Sequence, residues 1–199
     1  MAAGLRPTVR NGTSAFVLCV LLAAATGCGS PENKPATLSR DALSTGFVAL
    51  VGPLPGAGAM TLTEVRKNLA SRLRCPRTSL TAYVLPEEQS HDEVPGAVRQ
   101  VVLSASLQCP DGAAAQSAIR DVTENYLVAP NWHAVSGPPL GEDSLYAVST
   151  AGISIGPGAD ASAAVWRDNN DVEIVVLAGP SGSTIPLVEA LAQSQQRGA

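Results

Sequence analysis

Gly152-Ile153-Ser154-Ile155-Gly156 matches G-x-S-x-G, the spacing in which small residues let a serine sit on a sharp turn with its hydroxyl free for nucleophilic attack. That chemistry needs a strand before the serine, a helix after it and a base within reach. Gly156-Pro157-Gly158 does not start a helix, and both histidines, His91 and His133, precede Ser154, whereas in that fold the acid and the histidine follow it. The pattern reads as a chance match in a Gly/Ser-rich loop, and no catalytic residue is assigned. His91 lies within Glu87-Glu88-Gln89-Ser90-His91-Asp92-Glu93, whose carboxylates and imidazole could hold a divalent ion. No H-E-x-x-H or EF-hand spacing accompanies it, so it reads as a solvated hairpin tip, and neither metal nor cofactor is expected. Glu142 and Asp143 are adjacent; in an extended segment they point to opposite faces and do not form an acid/base pair. Trp132 and Trp166 could stack on a sugar or ring, although buried structural Trp is the commoner case. With His91 they are the candidate contacts for a ligand or partner.

The elements that would position these residues begin after an export segment. Arg6 and Arg10 form a positive start with no acid before Glu32, and Ala15 to Ala25 is apolar. Eleven residues suit the apolar region of a signal peptide; a membrane-spanning helix needs roughly 20. Ala25-Thr26-Gly27-Cys28 resembles the lipobox of bacterial lipoproteins, with Ala25 where the family most often has Leu. The resemblance implies cleavage before Cys28, a diacylglyceryl thioether on its thiol and an acylated amino group. Each buried CH₂ contributes about 0.8 kcal/mol, so several chains on one residue hold a soluble domain at a bilayer. Ala23-Ala24-Ala25 also offers an A-x-A site, and ordinary secretion is the alternative. Gly29-Ser30-Pro31-Glu32-Asn33-Lys34-Pro35 reads as a flexible tether. The expected organisation is a signal peptide over 1–27, a lipidated tether over 28–38 and one domain over 39–199.

The formal net charge of the whole chain is −4, and removing 1–27 takes away two basic residues and no acid. An acidic domain argues against nucleic acid, which needs clustered Lys and Arg. Arg outnumbers Lys eleven to two, and Ala, Gly and Pro are abundant, a bias compatible with a GC-rich actinobacterial genome. Of four cysteines, Cys19 leaves with the signal and Cys28 is lipidated. Cys75 and Cys109 remain, and in an oxidising exported setting that pair implies a structural disulfide.

Leu43, Phe47, Leu50 and Val51 predict a short helix within Asp41 to Val51, ended by Gly52-Pro53-Leu54-Pro55-Gly56-Ala57-Gly58. Thr61-Leu62-Thr63-Glu64 matches a capping box, and Leu62, Val65, Leu69 and Leu73 share one helical face before Pro76. The basic residues of this region, Arg66, Lys67, Arg72, Arg74 and Arg77, could touch anionic headgroups beneath a tethered domain, but read as a solvated helix face. Leu80 to Leu85 and Ala97 to Gln108 predict a hairpin. Asp111 caps a helix with the stripe Ala115, Ala118, Ile119, Val122 and Tyr126. Trp132 to Val135 and Leu145 to Thr150 read as strands. Ala161 to Arg167 and Val172 to Ala178 flank the tight turn Asp168-Asn169-Asn170-Asp171. Thr184-Ile185-Pro186 starts a last helix with Ile185, Val188 and Leu191 on one side. This order predicts an α+β fold: a two-layer sandwich, mostly antiparallel sheet with helices packed on one face.

The second half, about 112–196, resembles a group of actinobacterial lipoproteins that look like the extracellular sensor domain of mycobacterial receptor serine/threonine kinases. The shared run is a helix ending in Tyr126, then Asn131-Trp132, Gly141-Glu142-Asp143 and a strand with Tyr146. Val165-Trp166-Arg167-Asp168-Asn169-Asn170, a strand through Leu177 and a terminal Ala/Leu helix complete it. The resemblance implies binding of ligands or partners rather than catalysis. The expected function is therefore a membrane-anchored, extracytoplasmic, non-enzymatic binding or sensor-like domain. Its partners would be the membrane through the lipid anchor and an envelope protein or small-molecule ligand. A serine hydrolase using Ser154 and an accessory subunit of an envelope assembly are the alternatives.

Overall fold

Residues 159–166 are rich in alanine and 172–178 in β-branched residues, and these stretches form the middle of a seven-stranded sheet. The computed structural model describes residues 36–55, 60–87, 98–127, 131–149, 159–180, 182 and 184–198. Its strands are β1 (Val48–Ala49), β2 (Arg77–Pro86), β3 (Val98–Gln108), β4 (Trp132–Val135), β5 (Asp143–Ser149), β6 (Ala159–Asp168) and β7 (Asp171–Pro180). They lie in the order β1-β2-β3-β7-β6-β5-β4, every neighbour antiparallel. The helices are α1 (Leu62–Leu73), α2 (Gly112–Val122) and α3 (Thr184–Gly198). The α+β class with an antiparallel sheet is as the sequence predicts.

The helices, however, cover both faces. Ala105, Leu107, Val165, Val172 and Ile174 pack with Leu73 of α1 and Ala115, Ala118, Ile119 and Val122 of α2. Residues of opposite parity on the same strands, Val102, Ala164, Trp166, Val175 and Leu177, pack with Val188, Leu191 and Ala192 of α3. Successive side chains of a strand point to opposite faces, so the two groups are two cores divided by the sheet. A sheet covered on both sides reads as continuous apolar runs rather than alternation, and Val172 to Ala178 is such a run, broken by Glu173 alone.

The local rules work where short-range chemistry decides. Thr61 caps α1 in a complete capping box: its hydroxyl accepts from the Glu64 amide (3.3 Å), and the Glu64 carboxylate accepts from the Thr61 amide (2.8 Å). The Thr61 amide and hydroxyl both donate to the Glu64 carboxylate and hold it below its ordinary pKa. Asp111 accepts from the Ala114 amide (2.8 Å) at the start of α2. Asp111→Ala leaves that amide without its cap and lowers stability by about 1 kcal/mol, to be read from urea melts. β6 and β7 turn through Asn169 and Asn170, with Asn169 at φ 53°, a left-handed conformation that Asn accepts more readily than most residues. The last turn of the α2 stripe widens to π geometry over Thr123–Leu127; the Tyr126 side chain lies outside the described residues.

Two segments differ from expectation. Residues 41–51 do not form a helix: a 3₁₀ turn, Arg40–Ala42, is followed by Gly46 at φ 102° and then by β1, which pairs Val48 with Val84 and Ala49 with Tyr83. Free strand edge on β2 and burial of Phe47 against the sheet outweigh a weak helical spacing. Leu38, assigned to the tether, belongs to the fold. It is 2 % exposed, its amide donates to Ser104 Oγ (2.9 Å), and its carbonyl accepts from the Tyr83 hydroxyl (3.1 Å).

Cys75 and Cys109 are disulfide-bonded, as the leftover pair implies. Cys75 follows α1 and Cys109 follows β3, so the bond fastens the helix end to the end of β3, and both residues are buried.

Candidate functional site

The face covered by α3 carries an apolar cleft and, further along the same strands, a buried polar network. Leu38, the 3₁₀ turn and Phe47 fold back over this face, while α3 lies across β6 and β7. Between them is a cleft of about 140 Å³, with walls formed chiefly by Leu43, Phe47, Val102, Leu177, Leu187 and Leu191. Gln100 and Ser44 are the polar groups at its lining. Leu187 is 43 % exposed, a large apolar side chain left in contact with water at the cleft.

The register places the network next to this cleft. Val102 pairs with Leu177, Ser104 with Val175 and Ser106 with Glu173, all directed to the same face. Ser106 donates to Glu173 Oε1 (2.5 Å), and the Gln195 amide nitrogen donates to Glu173 Oε2. Ser104 in turn donates to Gln195 Oε1 (2.7 Å) and accepts from the Leu38 amide. Glu173 is 4 % exposed. Burial pushes its carboxyl up to about 7; the bonds from Ser106 and Gln195 pull the other way, and Asp171 and Asp168 add to the rise. The network therefore joins the N-terminal segment, β3, β7 and α3. Nothing in the sequence reading singled it out. The available signals are one acid in the run Val172 to Ala178, two serines two apart in an apolar strand, and Gln195 in line with Val188 and Leu191.

Trp166, a candidate contact, is 1 % exposed in the α3-side core, across from Glu173 on the neighbouring strand, and is not among the residues that line the cleft. Trp132 is half-buried against the core on the α1/α2 face. His133 is exposed on the edge strand β4. His91, Ser154 and Cys28 lie outside the described residues, as do 1–27 and the tether through Pro35. Glu142 and Asp143 do not diverge: Asp143 opens β5 while Glu142 precedes it, and both pair with Arg167, at 2.5 and 2.9 Å. The turn before them requires Gly141, at φ 50°, where a Cβ would lie 2.1 Å from the Arg167 carbonyl oxygen. Gly137 is equally constrained, its missing Cβ replaced by the Tyr146 ring, 2.3 Å from where it would stand. Tyr146 is buried with its hydroxyl unpartnered among the described residues, and burial, aided by Glu189, pushes it up to about 12. Among the described residues no three His, Cys, Asp or Glu side chains are grouped to hold a metal ion, and no helix is long and apolar enough to cross a membrane.

These features define a disulfide-stapled α+β domain with a half-open apolar cleft on one side of its sheet. No protein-family model matches the chain, and no curated protein matches it. Among solved structures it is similar to the extracellular domain of PknH from Mycobacterium tuberculosis, at 12 % identity over 76 % of this chain and 81 % of that chain, with a TM-score of 0.46.

Proposed function

We propose that this chain is a lipid-anchored, extracytoplasmic, non-enzymatic binding domain whose cleft between the N-terminal segment, β3, β7 and α3 receives a small apolar group, such as the end of an acyl chain. The observation that carries the reading is the cleft itself. Its walls are hydrophobic, one large apolar residue stands open to water beside it, and a few polar groups at the lining can orient a ligand, the usual composition of a small-molecule site. The buried disulfide supports residence in an oxidising compartment.

Two measurements test it. Intact-mass analysis of the protein extracted from its native membrane should find residues 1–27 removed and acyl mass on Cys28; an unacylated or uncleaved chain defeats the anchor. Titration with the fluorescent fatty acid cis-parinaric acid should show saturable binding to the wild type. Ala190→Phe, at an exposed position that lines the cleft, should weaken it about tenfold, equivalent to 1.4 kcal/mol, without altering the melt. Equal affinity in the variant, or no binding to either, defeats the assignment of the cleft.

A further inference from the structure

The sheet has an outer margin that its own strands leave incomplete. β1 pairs with β2 only at Val84 and Tyr83, and the Leu50 amide adds one bond to the Ala82 carbonyl (2.9 Å). The chain then turns away, with Val51 95 % exposed, Gly52 at φ 121° and Pro53 lacking an amide proton. Antiparallel pairing directs both main-chain groups of alternate residues to the same side. Because the Ala82 carbonyl faces β1, those of Leu80 and Thr78 face the same way, past the end of β1. Among the described residues no strand meets them there. β2 runs on to Arg77 and is paired with β3 on its other side throughout.

Beside this free margin α1 forms a wall. The space between is a groove of about 440 Å³, lined by Arg66, Lys67 and Ala70 of α1, by Pro76, and by Thr78 and Ser79 of β2, with Arg77 at its end. Leu69 and Leu73 turn the other side of the helix into the core, which fixes the wall in place. Arg66 and Lys67 are exposed, and among the described residues no acid lines the groove, although Glu64 lies within electrostatic reach of Lys67 and the chain as a whole carries a formal charge of −4. Arg77 donates to Gln108 Oε1 (3.2 Å).

We infer that this groove docks an extended, acidic segment of another polypeptide, which adds to β2 as a further antiparallel strand along Thr78 to Leu80. The amides and carbonyls of Thr78 and Leu80 supply the affinity of strand addition, and Arg66 and Lys67 select acidic side chains on the flank facing α1. A second copy of this chain does not fit the same place, since two β2 margins brought together would set Arg66 and Lys67 against their counterparts. The surface is separate from the apolar cleft, which lies on the opposite face of the sheet.

The test uses the full chain and a fluorescein-labelled nine-residue peptide alternating Thr or Val with Asp and Glu. Fluorescence anisotropy should show saturable binding, and amide exchange by NMR should slow at Thr78 and Leu80. R66E/K67E should weaken binding at least about tenfold, as should N-methylation of alternate peptide amides. Thr78→Pro removes one outward amide at an edge position where proline is tolerated, and should also weaken binding. If Thr78→Pro does not fold, the charge reversal and the methylated peptide carry the same test. Absence of binding, equal binding of a Lys-substituted peptide, protection confined to β4, or dimerisation through β2 would each overturn the inference.

Discussion

Replacing Cys75 and Cys109 together by alanine is expected to lower the stability of the domain by about 4 kcal/mol, with a fall in melting temperature on the order of 10 °C. The two residues are 34 apart in sequence, and the segment they close contains the β2–β3 hairpin. In the chain-entropy picture, opening a loop of that length lets the unfolded ensemble expand. The native state adds a second contribution, because both cysteines are buried among Leu73, Leu107 and Ala115, and the lost sulfurs leave space there. The disulfide also holds the end of α1 to β3, so the wall of the basic groove should loosen first. Urea melts of the wild type with and without reductant, beside the double alanine variant, check this. A reduced wild type that melts with the oxidised one would show that packing alone holds the helix.

The second large effect concerns Glu173. Its folded-state pKa is raised from 4.5 to about 7, so between those values the folded protein holds a proton that the unfolded chain has released. Stability is therefore complete below about pH 4.5, falls as pH rises through the interval, and is flat above about pH 7, the total change being about 3 kcal/mol. Asp171, also raised by burial, adds a loss of the same sign starting from its own ordinary value, whereas Glu64, held low, contributes stability that disappears on acidification. Glu173→Gln isolates the first effect. It keeps the shape and an acceptor for Ser106 but cannot ionise, so its stability should match the wild type near pH 4.5 and exceed it at pH 8. Denaturant melts at pH 4.5, 6 and 8 provide the measurement. Parallel curves for the two proteins would mean that water or rearrangement relieves the buried charge.

The short-range features were legible before any coordinates. Thr61 with Glu64 and Asp111 with the Ala114 amide are caps made within three residues, and the Asn169-Asn170 turn lies between two obvious apolar strands. The Cys75–Cys109 bond follows from parity once two other cysteines are assigned elsewhere. Those inferences hold because the interactions involved depend on neighbours in sequence or on simple counting. The 41–51 segment shows the limit: its spacing suited a helix, but β2 offered unpaired backbone, and a contact across 36 residues of chain won.

Side-chain pattern, turn chemistry and cysteine counting thus determined the elements from Thr61 onward, their order, the antiparallel class and the cross-link. Only the tertiary structure decided that helices cover both faces of the sheet, that Leu38 docks on Ser104, and that Ser104, Ser106, Glu173 and Gln195 meet in one network. It also decided that Trp166 is core and that β2 ends with an open margin beside a basic helix. The reason is physical. Burial and hydrogen-bond satisfaction are settled by what the sheet brings opposite a residue, and residues as far apart as Ser104 and Gln195 become partners only when β3 and α3 are stacked.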